Sequence, residues 1–563
     1  MKTKILTKTA ASAVIFVAIC AMAALSEPRQ TADTQTAPWY SIIPPLMTIM
    51  LAFLTRNVLL SIGVAIITGG LLTTLPSDPT SLSAILAGLK TSLFYPIETL
   101  TSIENLKILA FVPPIFAMIE IITVSGGFKA ILQKILPLIK TEKSAQTATA
   151  LMGLIYFIDD YSNTIIVGSS MRPVTDRFGV SREKLAFLVD ATSAPITSLA
   201  VISTWIVYEV GLFAVTAQKL GIEKDGYSMF FDSLAFRFYS ILMIGFVLGH
   251  ILFGCDFGPM KKAQDKAKKN PPVDTNITEP TKSSDDKRPA YMLNAILPLA
   301  GLIGFHITGL WIFGGGPAKI TTFSSIFHWQ YWRQVIGNTQ DYSLLILIYA
   351  ALFSLTLAVL CASLSRSLRI GAIIKCIISG AKKSILPCLI LIAAWSLKNC
   401  CDSLNTDRFL TNLLTGNVSP LIFPAIVFLV ASLTSFATGT SWGTMAIIIP
   451  TAVPIAFALD EHTYGLTTII TLGAVLDGAI FGDHCSPISD TTIISSIASR
   501  CDHIQHVRTQ LPYSLFVAIL ALFCCYIPAG LGLSPLLSII IAITIMVIVF
   551  LALPRLTRKN AMQ

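Results

Sequence analysis

Residues 149–171 read TALMGLIYFIDDYSNTIIVGSSM, an apolar run with Asp159, Asp160, Asn163 and Thr164 at its centre. A spanning helix needs about 20 mostly apolar residues. A carboxylate at bilayer depth costs about 2.5–3.5 kcal/mol on insertion scales, so this chain tolerates an expense that a plain span avoids. Three other apolar runs are interrupted in the same way. One is Asp190-Ala191-Thr192-Ser193-Ala194-Pro195-Ile196-Thr197-Ser198. The second half of the chain holds Ser435-Phe436-Ala437-Thr438-Gly439-Thr440-Ser441-Trp442-Gly443-Thr444 and Gly482-Asp483-His484-Cys485-Ser486-Pro487-Ile488-Ser489-Asp490-Thr491-Thr492. Proline removes a backbone donor and glycine weakens a helix. The backbone groups so released cannot face lipid, so they are expected to line a polar cavity inside the protein.

The surrounding sequence fits that setting. Of 563 residues, 54% are hydrophobic and 13% charged, against about 25% charged in soluble domains. Mean hydropathy is +0.73. Length alone suggests roughly four soluble domains, but the charges are too few to solvate them. The same numbers exclude disordered, collagenous and coiled-coil classes. The expected fold is an all-α polytopic membrane protein whose two related halves contain broken helices. Candidate spans are 42–75, 108–124, 149–171, 184–215, 234–253, 291–313, 344–364, 384–397, 421–459, 466–497, 511–531 and 536–553. Residues 42–75 and 421–459 are each long enough for two passes, so ten to fourteen transmembrane helices are expected.

The net charge of +9 marks topology rather than nucleic-acid binding, because the positive residues sit between apolar runs. Eight of the 40 Lys and Arg residues fall in 256–290, which the positive-inside rule places in the cytoplasm. That stretch reads as a disordered linker between transporter halves at 41–255 and 291–563. Residues 1–40 open with Lys2, Lys4 and Lys8, then an apolar run and Ala21-Met22-Ala23. They read as a signal peptide or uncleaved first helix plus an extracytoplasmic segment. The 11 cysteines form no C-x-x-C and read as buried thiols, without disulfides or structural metal. Trp39, Trp205 and Tyr208 read as interface anchors, and residues 172–184 as a solvated charged loop.

The halves also show a short match. Pro195-Ile196-Thr197, ending at Val201-Ile202-Ser203, aligns with Pro487-Ile488-Ser489, ending at Ile493-Ile494-Ser495. Paired interruptions in two halves point to a transporter site near the midplane. Na+ takes oxygen ligands, and these segments offer carboxylates, hydroxyls and carbonyls. A carboxylate in a low-dielectric cavity resists ionisation and holds a proton near neutral pH. One carboxylate then binds H+ or Na+ but not both, and only the neutralised site reorients. The candidate ion and proton ligands are Asp159, Asp160, Asp190, Asp483 and Asp490. Neutral oxygens come from Asn163, Thr164, Ser193, Thr438, Thr440, Ser441, Ser486 and Thr491. Asp477 is a lesser candidate. Glu120 and Glu209 read either as part of a proton path or as interfacial residues. Asp159, Asp160 and Asp190 also fit helix ends or caps, and His484 fits either a structural turn or a pH-responsive pair with Asp483.

At these residues the sequence resembles the NhaC-type Na+/H+ antiporter family. FIDDYSNTIIVGSSMRPVTDRFGVSREKLAFLVDATSAPITSLAVISTWIVYEVGLF is similar to a first family signature. SFATGTSWGTMAIIIPTAVPIA and GAVLDGAIFGDHCSPISDTTIISSIASRCDHIQHVRTQLPY are similar to a second, and GAKKSILPCLILIAAWSL to a further segment. Lys398-Asn399-Cys400-Cys401 and the long 256–289 stretch depart from the pattern. The resemblance implies a secondary transporter, not an enzyme, multi-pass in a bacterial inner membrane. Its expected partners are the lipid bilayer, Na+ and H+, with no cofactor, no nucleic acid and an oligomeric state left open, a homodimer included. Na+/H+ exchange is the expected activity. The alternative is a Na+- or H+-coupled exchanger of small organic acids of the malate/lactate type, or of amino acids. An intramembrane aspartyl protease is a poor match, since Gly482-Asp483 follows Phe481 rather than a Gly-x pair.

Overall fold

The computed structural model describes residues 38–55, 57–76, 81–269, 291–319, 331, 335, 342–406, 409, 418–487 and 489–560. Every regular element among them is helical. The protein is an all-α polytopic membrane protein. Eight helices are long and apolar enough to cross a membrane, or ten when two bent pairs are counted as spans. The upper count meets the lower end of the expected ten to fourteen.

The helices divide by how they treat lipid. Among those that carry apolar side chains outward are α1 (Ile43–Thr55), α2 (Val58–Leu72), α3 (Leu82–Thr101), α13 (Leu293–Phe313) and α14 (Ser343–Leu364). Only 22% of the apolar window of α13 is buried, with Leu293, Phe305 and Phe313 exposed. Such a surface is stable only in a nonpolar solvent. By contrast 83% of the window of α19 (Leu466–Cys485) is buried, which makes it an inner strut. Between these lie α4 (Ile103–Val124), α5 (Gly127–Ile135), α15 (Ile370–Lys383) and α16 (Ile385–Ser403).

Four breaks organise the centre; three fall on segments that the sequence marks, and one falls at 200–203, just past the marked 190–198 segment, which lies inside a helix. The first separates α6 (Glu142–Ile155) from α7 (Asp160–Arg177). The second separates α8 (Arg182–Leu199) from α9 (Thr204–Leu220), which meet at 47°. In the other half α17 (Phe423–Thr438) breaks before α18 (Ser441–Leu459), and α19 before α20 (Asp490–Ser499). The packing of one half repeats in the other. α8 packs on α6 and α7 as α19 packs on α17 and α18. Across the halves, α7 packs on α20 and α9 on α18. Exchanging the two sets of four helices maps these contacts onto one another. The longer remaining helices are α10 (Gly226–Leu234), α11 (Phe238–Phe253), α12 (Gly258–Lys269), α21 (His503–Leu520) and α22 (Pro535–Asn560).

Four expectations need correction. The Pro195/Pro487 alignment is out of structural register. Pro195 lies inside α8, while Pro487 lies in the break after α19. The positions that correspond are Ser203 and Ser489, which cap α9 and α20. The 256–290 stretch begins with a helix, because Met260, Gln264 and Ala267 form one buried face. Gln264 accepts from Ser181 N at 2.9 Å and donates to the Gly179 carbonyl at 2.8 Å. Residues 270–290 of that stretch lie outside the described residues, as do residues 1–37 of the N-terminal segment. Residues 172–184 are not a solvated loop, since Asp176 and Lys184 are buried and paired with Arg182 and Asp256. Trp205 and Tyr208 are core residues rather than anchors, packed edge-on and stacked against Trp442.

Candidate functional site

The site is built from helix starts. At the first break Asp159 leaves the helical region (φ −150, ψ 122) and caps α7, its Oδ2 accepting from Ser162 N at 2.9 Å. Thr440 has nearly the same conformation (φ −151, ψ 125) and caps α18, accepting from Gly443 N at 3.3 Å. Gly439 precedes it at φ +70, a left-handed position that suits glycine. Asp159 and Thr440 thus stand as counterparts, and both line one cavity of about 490 Å³. Tyr161, Trp442, Asp490, Glu120 and Lys383 line it too. Glu120 accepts from Lys383 at 2.6 Å and from Ser379 at 3.0 Å.

Behind this cavity the carboxylates of the two halves are tied together. Tyr161, next to Asp160, donates from its hydroxyl to Asp490. Asp490 begins α20 as Asp160 begins α7, and the two helices pack together. Thr491 donates to Asp483 Oδ2 at 2.7 Å. Its neighbour Thr492 donates to Asp190 Oδ2 at 3.3 Å, which reaches into the first half. Gln510 of α21 donates to the same Asp190 oxygen at 2.6 Å and to the His484 carbonyl at 2.9 Å. Asp160 lies within charge–charge range of Asp159, Asp490 and Asp483.

The unmet valences are concentrated here. Asp160 Oδ1, Asn163 Oδ1, Thr164 Oγ1, Asp190 Oδ1 and Asp483 Oδ1 are buried oxygens without a hydrogen-bond partner. Buried polar groups are almost always paired, because leaving one bare costs about 1–3 kcal/mol. Oxygen acceptors of this kind suit a small hard cation or a proton.

The Na+/H+ antiporter family pattern matches residues 196–531, more than half of the chain. This chain belongs to the Na+/H+ antiporter family. An uncharacterized protein of Haemophilus influenzae is 31% identical over 525 residues, covering 92% of this chain and 96% of the relative. The malate-2H+/Na+-lactate antiporter of Bacillus subtilis is 40% identical over 98 residues, 17% of this chain and 20% of the relative. Among solved structures, the YdaH transporter of Alcanivorax borkumensis shares the fold, with a TM-score of 0.54 at 12% identity. That match covers 88% of this chain and all of the YdaH chain.

In this antiporter the expected ligands divide. Asp160, Asp190, Asp483, Asp490, Thr491, Asn163 and Thr164 sit at the breaks or on the helices that join them. Asn163 also closes its break, donating to the Gly153 and Tyr156 carbonyls at 2.7 and 3.1 Å. Asp159 and Thr440 are caps that face the cavity. Ser193, Thr438, Ser441 and Ser486 donate to backbone carbonyls, and Ser486 ties the end of α19 to the Phe436 carbonyl at 2.7 Å. Asp477 stands apart from the cluster. It is bound by Arg237 Nε at 3.1 Å, Ser240 Oγ at 2.7 Å, Tyr239 N at 2.6 Å and Tyr526 OH at 2.8 Å. His484 is buried, with Nδ1 3.0 Å from Tyr239 OH. At the start of α21, Asp502 caps the helix, His503 Nε2 contacts the Pro487 carbonyl and His506 contacts Gln510. Tyr161, Thr492, Gln510 and Lys383 went unmarked as site residues, whereas Glu120 was named for a proton path. Tyr161 and Gln510 lay within the quoted signatures.

Proposed function

We propose that this antiporter exchanges Na+ for H+ at the carboxylates gathered between the broken helices. The supporting observation is the set of five unpartnered buried oxygens on Asp160, Asn163, Thr164, Asp190 and Asp483, drawn from both halves. Na+ entering through the cavity finds oxygen ligands whose hydrogen-bonding capacity is not yet used. With Na+ bound, the carboxylates need no proton; without it, protons replace the ion and remove the cost of buried charge. The caps Asp159 and Thr440 position the helix starts, whose partial positive ends stabilise the acidic side chains beside them. We assign the protein to a bacterial inner membrane.

In proteoliposomes carrying a pH gradient, added Na+ is expected to collapse the gradient. Asp160→Asn and Asp483→Asn are each expected to abolish that response. Full exchange in both variants would remove these carboxylates from the mechanism. A second reading, coupled transport of a small organic acid, draws on the cavity itself. Its apolar wall of Phe116, Ile119, Ile165, Leu386 and Ile390, with Lys383 beside it, suits a short organic anion. The lactate-exchanging relative points the same way. Uptake of labelled malate, lactate or an amino acid would favour it; Na+-driven dissipation with no organic uptake supports the first.

A further inference from the structure

A second carboxyl group lies outside the site just described. Glu209 of α9 is fully buried, and neither of its oxygens has a hydrogen-bond partner. Its nearest charge is Arg237, whose Nη1 lies 3.6 Å from Oε1. Arg237 is already committed. It gives Nε to Asp477 at 3.1 Å and uses its other nitrogens on the Ser198 carbonyl and hydroxyl, at 3.0 and 2.8 Å. Arginine keeps its charge in proteins. Asp477, with four donors, is held as the anion that balances it. One guanidinium thus faces two carboxyl groups, and Asp477 has the better claim.

We propose that Glu209 is a second proton-binding site of this transporter, occupied by H+ while Arg237 is paired with Asp477. α9 packs on α4, α8, α10, α16 and α18. The charged groups that face Glu209 are Arg237 and Asp477. Lys398 of α16 reaches α9 further along, at the Val215 carbonyl, and Asp402 pairs with Lys219 near the end of α9. Asp159 meets α9 at its start, through Thr204. Loss of the Glu209 proton would create a second anion competing for Arg237. That competition loosens the grip of Arg237 on Ser198, at the end of α8 just before the break. Since α8 carries Asp190, proton binding at Glu209 couples to the main site. The coupling rests on the Na+/H+ reading above, whereas the protonation of Glu209 does not.

The test is infrared spectroscopy of the purified full-length protein, in water and in heavy water, where a protonated carboxyl shows an isotope-sensitive carbonyl stretch. At neutral pH the wild-type-minus-Glu209→Gln difference is expected to contain one such band and to lose it at alkaline pH. A difference without that band would overturn the proposal. In Asp477→Asn the guanidinium has only Glu209 as counter-ion, so a folded variant is expected to lack the band. A folded Asp477→Asn protein that keeps it would refute the charge argument. Neither reading depends on transport, so an inactive exchanger would leave this result standing.

Discussion

Asp477 and Asp483 lie six residues apart on one helix and do opposite work. Asp477 has every lone pair engaged and a guanidinium beside it; Asp483 has one oxygen on Thr491 and the other bare. Sequence shows two acidic residues in one apolar run and cannot separate them. The difference comes from Arg237, 240 positions away. Arg237→Met should leave a buried anion uncompensated and cost about 3–5 kcal/mol, seen as a lower thermal unfolding midpoint. Asp483→Asn should leave that midpoint close to wild type while exchange is lost. A large thermal loss in Asp483→Asn would make it structural. Thr491→Val removes one donor from Asp483, worth about 1 kcal/mol. It should shift half-saturating Na+ by roughly five-fold, and an unchanged Na+ dependence would exclude Thr491 from the site. Two of the expected ligands, Ser193 and Ser486, donate their hydroxyl protons to backbone carbonyls. A hydroxyl in a helix satisfies itself on a carbonyl three or four residues back, or on a neighbouring helix, before any ligand arrives.

At the level of elements, three of the four breaks were legible and their register was not. Carboxylates, Gly439 and Pro487 within apolar runs marked those three, whereas the break at 200–203 falls after the 190–198 segment, which is helical. The structural equivalence runs through the cap residues instead, Asp159 with Thr440 and Ser203 with Ser489. A cap is defined by its backbone conformation and by the N–H it receives, and a proline match overlooks both. Gly439→Ala places a Cβ at φ +70, which costs about 1–2 kcal/mol. It should lower stability by that amount and slow exchange, and an unchanged transport rate would separate the break from the transport cycle. The helix α12 was missed because its buried face is only Met260, Gln264 and Ala267 in a run rich in lysine. Beside it, in the loop after α11, burial pushes the Asp256 carboxyl upward. The His250 hydrogen bond at 2.6 Å and Lys184 at 2.9 Å outweigh that and hold it well below the usual carboxylate range. A carboxyl depressed in the folded state stabilises above its unfolded value and loses that contribution only as pH falls through the folded one. The gap in unfolding midpoint between wild type and Asp256→Asn should therefore hold from neutral pH down through about pH 4 and narrow only in stronger acid. A gap that does not change with pH would show an unperturbed carboxyl.

Over the whole molecule, the sequence made the lipid-facing exterior plain, because composition reports solvent directly. The interlock between halves was out of reach, since α7 against α20 and α9 against α18 are contacts across more than 200 residues that no local pattern encodes. That interlock brings Tyr161 to Asp490 and Thr492 to Asp190, so side chains of the two halves meet at the proposed site. The central claim is that Na+ and H+ compete there for the same oxygens. It is tested most directly by adding Na+ to the purified transporter in weak buffer and recording proton release with a pH indicator. The account predicts protons released in proportion to Na+ bound, fewer at alkaline pH, and none from the Asp160→Asn, Asp483→Asn double variant. Na+ binding without proton release, or release undiminished in the double variant, would contradict it.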